Sequence, residues 1–161
     1  MAKPVERIMV YIDGTEESIV AAQYAIVLAK TLDAELYALY IINIKALEEL
    51  LRAKIFLKEE EYEYERDLRE DAKRYLRHVE ELGSRKSVDV KKISLEGSVY
   101  TELLNAVKEY GIDLLVLKEL SHVRSRREEF YDESERAMRA VPCSVLIVKD
   151  EERVWELYES I

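Results

Sequence analysis

The sequence predicts an α/β fold in which a five-stranded parallel sheet lies between two layers of helices, as a three-layer sandwich. Short apolar runs rich in Val, Ile, Leu and Tyr alternate along its 161 residues with longer stretches whose apolar residues recur every three or four positions. The run DLLVL at 113–117 is almost entirely apolar, as a strand covered by helices on both faces must be. With four Gly, two Pro and no repeat or linker, the chain is predicted to form one domain over 1–150 and a helical tail over 151–161.

The predicted elements alternate, beginning with a strand and ending with a helix, which indicates parallel pairing through right-handed crossovers. Strands are predicted at 7–12, 35–42, 88–95, 113–117 and 143–148. Helices are predicted after Thr15, within 45–82, after Ser98, before Pro142 and over 151–161. The third strand carries two lysines, which is typical of an exposed edge.

Helix caps are predicted beside the three clearest helical patterns. Thr15 and Ser98 each precede a helical pattern, and their hydroxyls can accept a hydrogen bond from a backbone N–H of the first turn. Gly83 follows the last apolar residue of the longest pattern, where a left-handed glycine commonly ends a helix. We therefore expect that helix to end just before Gly83.

Composition and charge argue against several classes of protein. The chain has 25 Lys and Arg against 34 Asp and Glu, a net charge of −9, which argues against nucleic-acid binding. Its longest apolar runs are shorter than ten residues, and its start does not resemble a secretory leader, so we expect a cytoplasmic protein without membrane contact. Charged residues make up 37% of the chain and the uncharged amides are rare, which favours a thermophile over an acidic, helix-rich mesophile protein.

No combination of residues predicts catalysis or a metal centre. The single cysteine, Cys143, opens a predicted buried strand, which favours an inert core thiol over a nucleophile. His78 has no ligand partner at metal spacing, and the acidic run 59–65 is typical of a solvated helix face. The sequence contains no G-x-S-x-G, H-E-x-x-H, P-loop or G-x-G-x-x-G motif. We therefore predict that the chain is not an enzyme and holds no metal.

The carboxyl ends of the strands are the predicted place for a ligand, because open parallel sheets bind ligands there. Asp13 and Gly14 follow the first predicted strand, and Ile41 lies at the end of the second. The third segment at this edge is the charged connector after Leu117. His122 and the arginines at 124–127 could bind an anion there, but the surrounding acidic residues favour a solvated mixed-charge loop.

The chain resembles the universal stress protein family over about 7–149. The resemblance rests on an ordered set of segments, VYIDGTEES, LYALYII, GSVYTELLNAVKEYGIDLLVL and VPCSVLIV, rather than on any single motif. It implies the strand order 3-2-1-4-5 and a dimer formed through the fifth strand. It also implies a possible ATP site, because many members bind ATP through a G-x2-G-x9-G-S/T motif after the fourth strand.

This chain departs from that phosphate-binding motif at every position. A gap-free alignment from Asp113 to Pro142 places four other residues at the three glycines and the hydroxyl residue, namely Lys118, Ser121, Tyr131 and Asp132. Side chains there would occupy the space where the backbone approaches phosphate. Asp132 is in addition predicted to cap a helix. Its carboxylate would repel a triphosphate. We therefore expect no ATP cofactor.

The residues at the adenine and ribose end of the family's pocket match the family better than those at the phosphate end. By resemblance, Asp13 matches the position near the adenine and ribose, with Gly14 beside it, and Ile41 matches the position whose backbone holds the base. Asp13 is either a remnant of a nucleoside pocket or simply a turn residue, and the turn is the more common role.

We therefore expect a non-catalytic, stress-response protein that acts through protein contacts, with a partner that the sequence does not identify. The fifth strand, CSVLIV, is an unprotected apolar edge, which favours a homodimer paired through Val145 and Ile147. The alternative is that the tail helix covers this edge with Val154, Trp155 and Leu157. The rival functions are an adenine-nucleotide sensor with a non-standard loop and, more weakly, a nucleotide hydrolase using Asp13.

Overall fold

The computed structural model describes residues 3–44, 49, 52, 58–120 and 133–161, and its sheet confirms the predicted order β3-β2-β1-β4-β5. All four strand pairings are parallel. The strands are β1 Arg7–Ile12, β2 Glu35–Ile42, β3 Val90–Glu96, β4 Leu114–Lys118 and β5 Ser144–Val148. The helices are α1 Glu16–Leu32, α2 Lys58–Ser84, α3 Val99–Glu109, α4 Glu133–Ala140 and α5 Glu151–Ser160. The first part of the predicted 45–82 helix falls largely outside the described residues.

Two hydrophobic cores cover the two faces of the sheet. Successive side chains of a strand point to opposite faces, so Ile8 and Val10 of β1 contact the core of α1, α2 and α5, whereas Met9 and Tyr11 contact the core of α3 and α4. Both sets of β1 side chains are at most 6% exposed. Burial on both faces explains why the central strands consist of continuous apolar runs.

The predicted caps Thr15 and Ser98 are confirmed, and the predicted cap Asp132 lies outside the described residues. Thr15 Oγ1 accepts a hydrogen bond from the backbone N–H of Ser18 at 3.2 Å, and Ser98 Oγ accepts one from Thr101 at 3.3 Å. These bonds satisfy N–H groups that have no partner within a helix. Both caps lie at the carboxyl edge of the sheet, so they fix the starts of α1 and α3 beside the predicted ligand position.

The predicted cap at Gly83 is wrong, because α2 continues to Ser84 and Gly83 does not have a positive φ. The reason for a glycine is instead the close return of the chain towards β3. A Cβ atom at position 83 would lie 2.5 Å from Val90 Cγ2 and 2.8 Å from the carbonyl oxygen of Val88. The left-handed residue of this turn is Ser87, with φ 60°.

The C-terminal helix α5 packs on α1. Val154 and Tyr158 are 2% and 4% exposed, and the Tyr158 hydroxyl donates a hydrogen bond to the carbonyl oxygen of Leu82 at 2.8 Å. The packing of α5 on α1 explains why α1 is apolar on several sides, since α1 lies between the sheet and α5.

The alternative in which α5 covers the edge of β5 with Val154, Trp155 and Leu157 holds only in part. Val154 and Leu157 pack in the same core as residues 146 and 148 of β5, whereas Trp155 does not. Trp155 is 59% exposed. A helix turns about 100° per residue, so Trp155 and Arg153 lie on opposite flanks of α5. Arg153, with Val154, lines a hollow beside residues 146–148 of β5, which places Trp155 on the flank away from that strand.

Candidate functional site

The candidate site lies where the strand order reverses, between β1 and β4. These strands pair with Ile8 opposite Leu114 and Val10 opposite Val116, so their carboxyl ends meet at one edge of the sheet. Asp13 follows the end of β1, and Lys118 is the last residue of β4. In open α/β sheets, ligands bind in the crevice outside this point.

An ion pair between Lys118 and Asp13 bridges this crevice. Lys118 Nζ lies 2.5 Å from Asp13 Oδ2, and the two side chains are 23% and 20% exposed. The other carboxylate oxygen, Asp13 Oδ1, accepts hydrogen bonds from the backbone N–H of Thr15 at 3.0 Å and from its hydroxyl at 2.6 Å. Lys118 Nζ is also within 3.5 Å of Thr15 Oγ1. The β1–α1 turn is therefore tied to the end of β4.

The electrostatics keep Asp13 ionised. Burial acts to raise the pKa of this carboxyl, but the hydrogen bonds from Lys118 and Thr15 and the positive charge of Lys118 outweigh burial. The pKa of Asp13 is accordingly lowered from its ordinary value of 3.8. The site therefore contains the Asp13 carboxylate in direct contact with Lys118 Nζ.

A tyrosine of α2 covers the turn from its other side. Gly14 has φ 86°, and a Cβ atom there would lie 2.9 Å from Cε2 of the Tyr75 ring. Tyr75 also stacks on Tyr40 of β2, with ring centroids 5.9 Å apart, and the Arg74 guanidinium lies 5.1 Å from the Tyr75 centroid. Burial, then the negative charge of Asp71, raises the pKa of the Tyr40 hydroxyl. The turn is thus held between Tyr75 and Lys118.

The described site residues lie at one edge of the sheet. Asp13, Gly14 and Lys118 lie at the carboxyl ends of β1 and β4, and Ile41 lies at the carboxyl end of β2. The Ile41 side chain is 5% exposed and packs into the core of α3 and α4, and the contact of its backbone with a base stays a prediction. Three of the four positions aligned with the phosphate motif fall outside the described residues, namely Ser121, Tyr131 and Asp132. What these three contribute stays a prediction, as does most of the connector.

Sequence reasoning missed two features of this site. It placed Lys118 at the first glycine position but did not identify Asp13 as its partner, and it did not place Tyr75 at the site. A signal for the first was available, since Lys118 is a charged residue at the carboxyl end of an apolar strand, on the same edge as Asp13. The contact of Tyr75 with Gly14 left no comparable signal.

The outer edge of β5 is the second candidate surface. Val145 and Ile147 are half-buried, and β4 is the strand that pairs with β5 on its inner side. A hollow of about 160 Å³ lies beside the strand, lined by Tyr24 of α1, residues 146–150, Arg153 and Val154. Among the described strands β5 is an end of the sheet, and its side chains at 145–147 are partly exposed.

Metal binding, thiol chemistry and membrane insertion find no support in the described residues. Within it, no group of three or more His, Cys, Asp or Glu residues is placed to hold a metal ion. Burial raises the pKa of the Cys143 thiol, which favours the unreactive protonated form. Among the described helices, none is both long enough and apolar enough to span a bilayer.

Comparisons with known proteins agree with one another. The sequence model described as the universal stress protein family matches residues 4–149. The chain is 27% identical over 145 residues to Universal stress protein MJ0531 of Methanocaldococcus jannaschii, which is 89% of this chain and 82% of that protein.

Solved structures show the same fold. A universal stress protein family member from Burkholderia pseudomallei superimposes with a TM-score of 0.70 at 21% identity, covering 93% of this chain and 100% of that one. A universal stress protein in complex with cAMP superimposes with a TM-score of 0.63 at 17% identity, covering 89% of this chain and 96% of that one.

Proposed function

Because the chain belongs to the universal stress protein family, we propose that it is a non-catalytic stress-response protein that does not hold ATP and acts through protein contacts as a homodimer. The observation that carries the proposal is the ion pair of Lys118 with Asp13 across the crevice between β1 and β4. The place where a small ligand would enter is taken by the chain's own side chains.

The ion pair works against a nucleotide in two ways. The stem of Lys118 occupies space at the end of β4, where the phosphate-binding members of the family have the first glycine of their motif. In addition, the carboxylate of Asp13 already accepts three hydrogen bonds, from Lys118 and from two groups of Thr15, so few of its lone pairs remain for a ribose. Tyr131 and Asp132, at the third glycine and hydroxyl positions, add bulk and negative charge by sequence.

A nucleotide sensor with a non-standard loop is the second candidate. It is favoured by the ammonium of Lys118, which could bind a phosphate if Asp13 released it. One similar structure, moreover, is a complex with cAMP. Against it, a phosphate would have to compete with a carboxylate that is in direct contact with the ammonium and fixed by Thr15.

Protein contacts are proposed through the outer edge of β5. Two copies paired antiparallel about a two-fold axis, through Val145 and Ile147, would satisfy the free backbone groups of this edge and cover its apolar side chains. This pairing gives a closed dimer rather than a growing fibre, because each copy uses its single β5 edge.

Two measurements test the proposal separately. Titration of the purified protein with ATP in a calorimeter should show no binding in the micromolar range, and micromolar affinity would favour the nucleotide sensor. Light scattering at tens of micromolar protein should give the mass of a dimer. A monomer at that concentration would refute the β5 interface without bearing on nucleotide binding.

A further inference from the structure

The ion pair between Lys118 and Asp13 is less exposed to solvent than an ion pair on the surface. Lys118 and Asp13 are 23% and 20% exposed, whereas Lys92 and Glu80, an ion pair at 3.1 Å, are 40% and 39% exposed. A carboxylate that is mostly withdrawn from water requires a partner, because water no longer solvates its charge fully. Asp13 therefore constitutes a binding position for a cation, whether the cation belongs to the chain or comes from solution.

The two partners of Asp13 are held very differently. Thr15 is the N-cap of α1, so the groups that it donates to Asp13 Oδ1 are fixed by the helix. Lys118 reaches Asp13 Oδ2 through a flexible four-carbon stem from the end of β4. Among the residues that the structure describes, loss of Lys118 would leave Thr15 in place and remove the cation that contacts Asp13 Oδ2.

We propose that Lys118 is an internal ligand, whose ammonium fills a cation site that is selective for primary ammonium compounds. The site consists of the Asp13 carboxylate, oriented by Thr15, in the crevice between β1 and β4. The proposal rests on the proposed function, in which this edge of the sheet holds no nucleotide. It adds the class of ligand that the edge would accept, which is an organic cation rather than a phosphate.

The chemistry of the site favours this class. Asp13 is an acceptor and carries a negative charge, so the position beside Oδ2 attracts a cation that donates hydrogen bonds and repels an anion. A primary ammonium has three donors on a compact head, which matches Asp13 Oδ2 at 2.5 Å and Thr15 Oγ1 at 3.5 Å from the present Nζ. A quaternary ammonium lacks these donors and is too bulky for the same position.

Chemical rescue tests the proposal. Lys118→Ala deletes the three terminal methylenes and the ammonium, and propylammonium has the same atoms. We expect propylammonium chloride to raise the unfolding midpoint of Lys118→Ala saturably, by about 3 °C, relative to sodium chloride at equal ionic strength. If Lys118→Ala is too unstable to purify, the same titration is carried out on Lys118→Ser with ethylammonium, because the serine Oγ takes the place of Cγ and leaves the space of the last two methylenes and the ammonium.

Three controls define the effect. Lys92→Ala loses an exposed lysine of the same kind and should not respond to propylammonium. The double variant Asp13→Asn/Lys118→Ala lacks the carboxylate and should not respond either. Tetraethylammonium, which has no N–H donor, should not replace propylammonium.

The outcomes separate this proposal from the proposed function. A response to propylammonium that is confined to the Lys118 variants supports the internal ligand. Equal responses of Lys118→Ala and Lys92→Ala, or no response of any variant, would overturn it, while the proposed function would stand. Micromolar binding of ATP by the unmodified protein would instead overturn the proposed function.

Discussion

Lys118→Met removes the ammonium but keeps most of the stem, so it isolates the contribution of the charge to stability. Exposed ion pairs contribute about 0–1 kcal/mol, and removal of one partner of a buried pair costs about 3–5 kcal/mol. With side chains 23% and 20% exposed, the pair of Lys118 and Asp13 lies between these cases, and Asp13 keeps its two hydrogen bonds from Thr15. We therefore expect a loss of about 2 kcal/mol in the free energy of unfolding. For a domain of this size that corresponds to a midpoint lower by about 4–8 °C.

The assay is urea denaturation at pH 7 of the unmodified protein and of two matched variants. Lys92→Met removes the ammonium that pairs with Glu80 at the surface, and its stability should change by less than about 1 kcal/mol. Equal losses for Lys118→Met and Lys92→Met would refute the reasoning, because the first pair would then behave as an ordinary surface contact.

The pH dependence of the same variants provides a second readout. Burial acts to raise the pKa of Asp13, but the contacts with Lys118 and Thr15 prevail and lower it below 3.8. A carboxyl with a lowered folded pKa contributes stability that is present above its unfolded pKa and is lost as the pH falls through the folded value. As the pH falls below about 4, the free energy of unfolding of the unmodified protein should therefore decrease more than that of Lys118→Met. Parallel pH profiles would contradict this explanation.

Three further predictions concern the interface and the packing. Val145→Lys places a charge on the β5 edge and should turn the proposed dimer into a monomer or into insoluble protein by light scattering; a soluble dimer would contradict the proposed β5 interface. Gly83→Ala should lower the free energy of unfolding by about 2 kcal/mol in urea, because its Cβ would meet Val90 Cγ2 at 2.5 Å, and unchanged stability would show that this packing is wrong. Tyr158→Phe should cost about 1 kcal/mol through the lost hydrogen bond to Leu82, whereas Tyr62→Phe, at a side chain 69% exposed, should cost almost nothing; equal costs would count against the docking of α5.

The features that sequence predicted well are those set by neighbouring residues. The strands at 7–12 and 35–42 were predicted with the bounds that the structure has, because continuous apolar runs end there at polar or turn residues. The caps Thr15 and Ser98 were predicted from a hydroxyl placed directly before a helical pattern. The β5 edge follows from the sheet order, which the family resemblance supplied.

The features that sequence did not predict depend on contacts between distant segments. Lys118 and Thr15 are 103 positions apart, and their proximity follows only from the pairing of β1 with β4. Gly83 was read by a local rule for helix ends, whereas its real constraint comes from the side chain of Val90 on another element. The packing of Tyr75 on Gly14 likewise requires the path of α2 over the sheet.

The nucleotide content of the purified protein tests the central claim most directly. The protein is isolated from its source without added nucleotide, denatured, and the supernatant is separated by ion-exchange chromatography with absorbance at 260 nm. Lys118 and Asp13 form an ion pair in the crevice between β1 and β4 and take the place where a nucleotide would enter. We therefore expect the supernatant to contain no more adenine nucleotide than a mock preparation. Release of ATP or another adenine nucleotide in a one-to-one ratio with the chain would contradict the account.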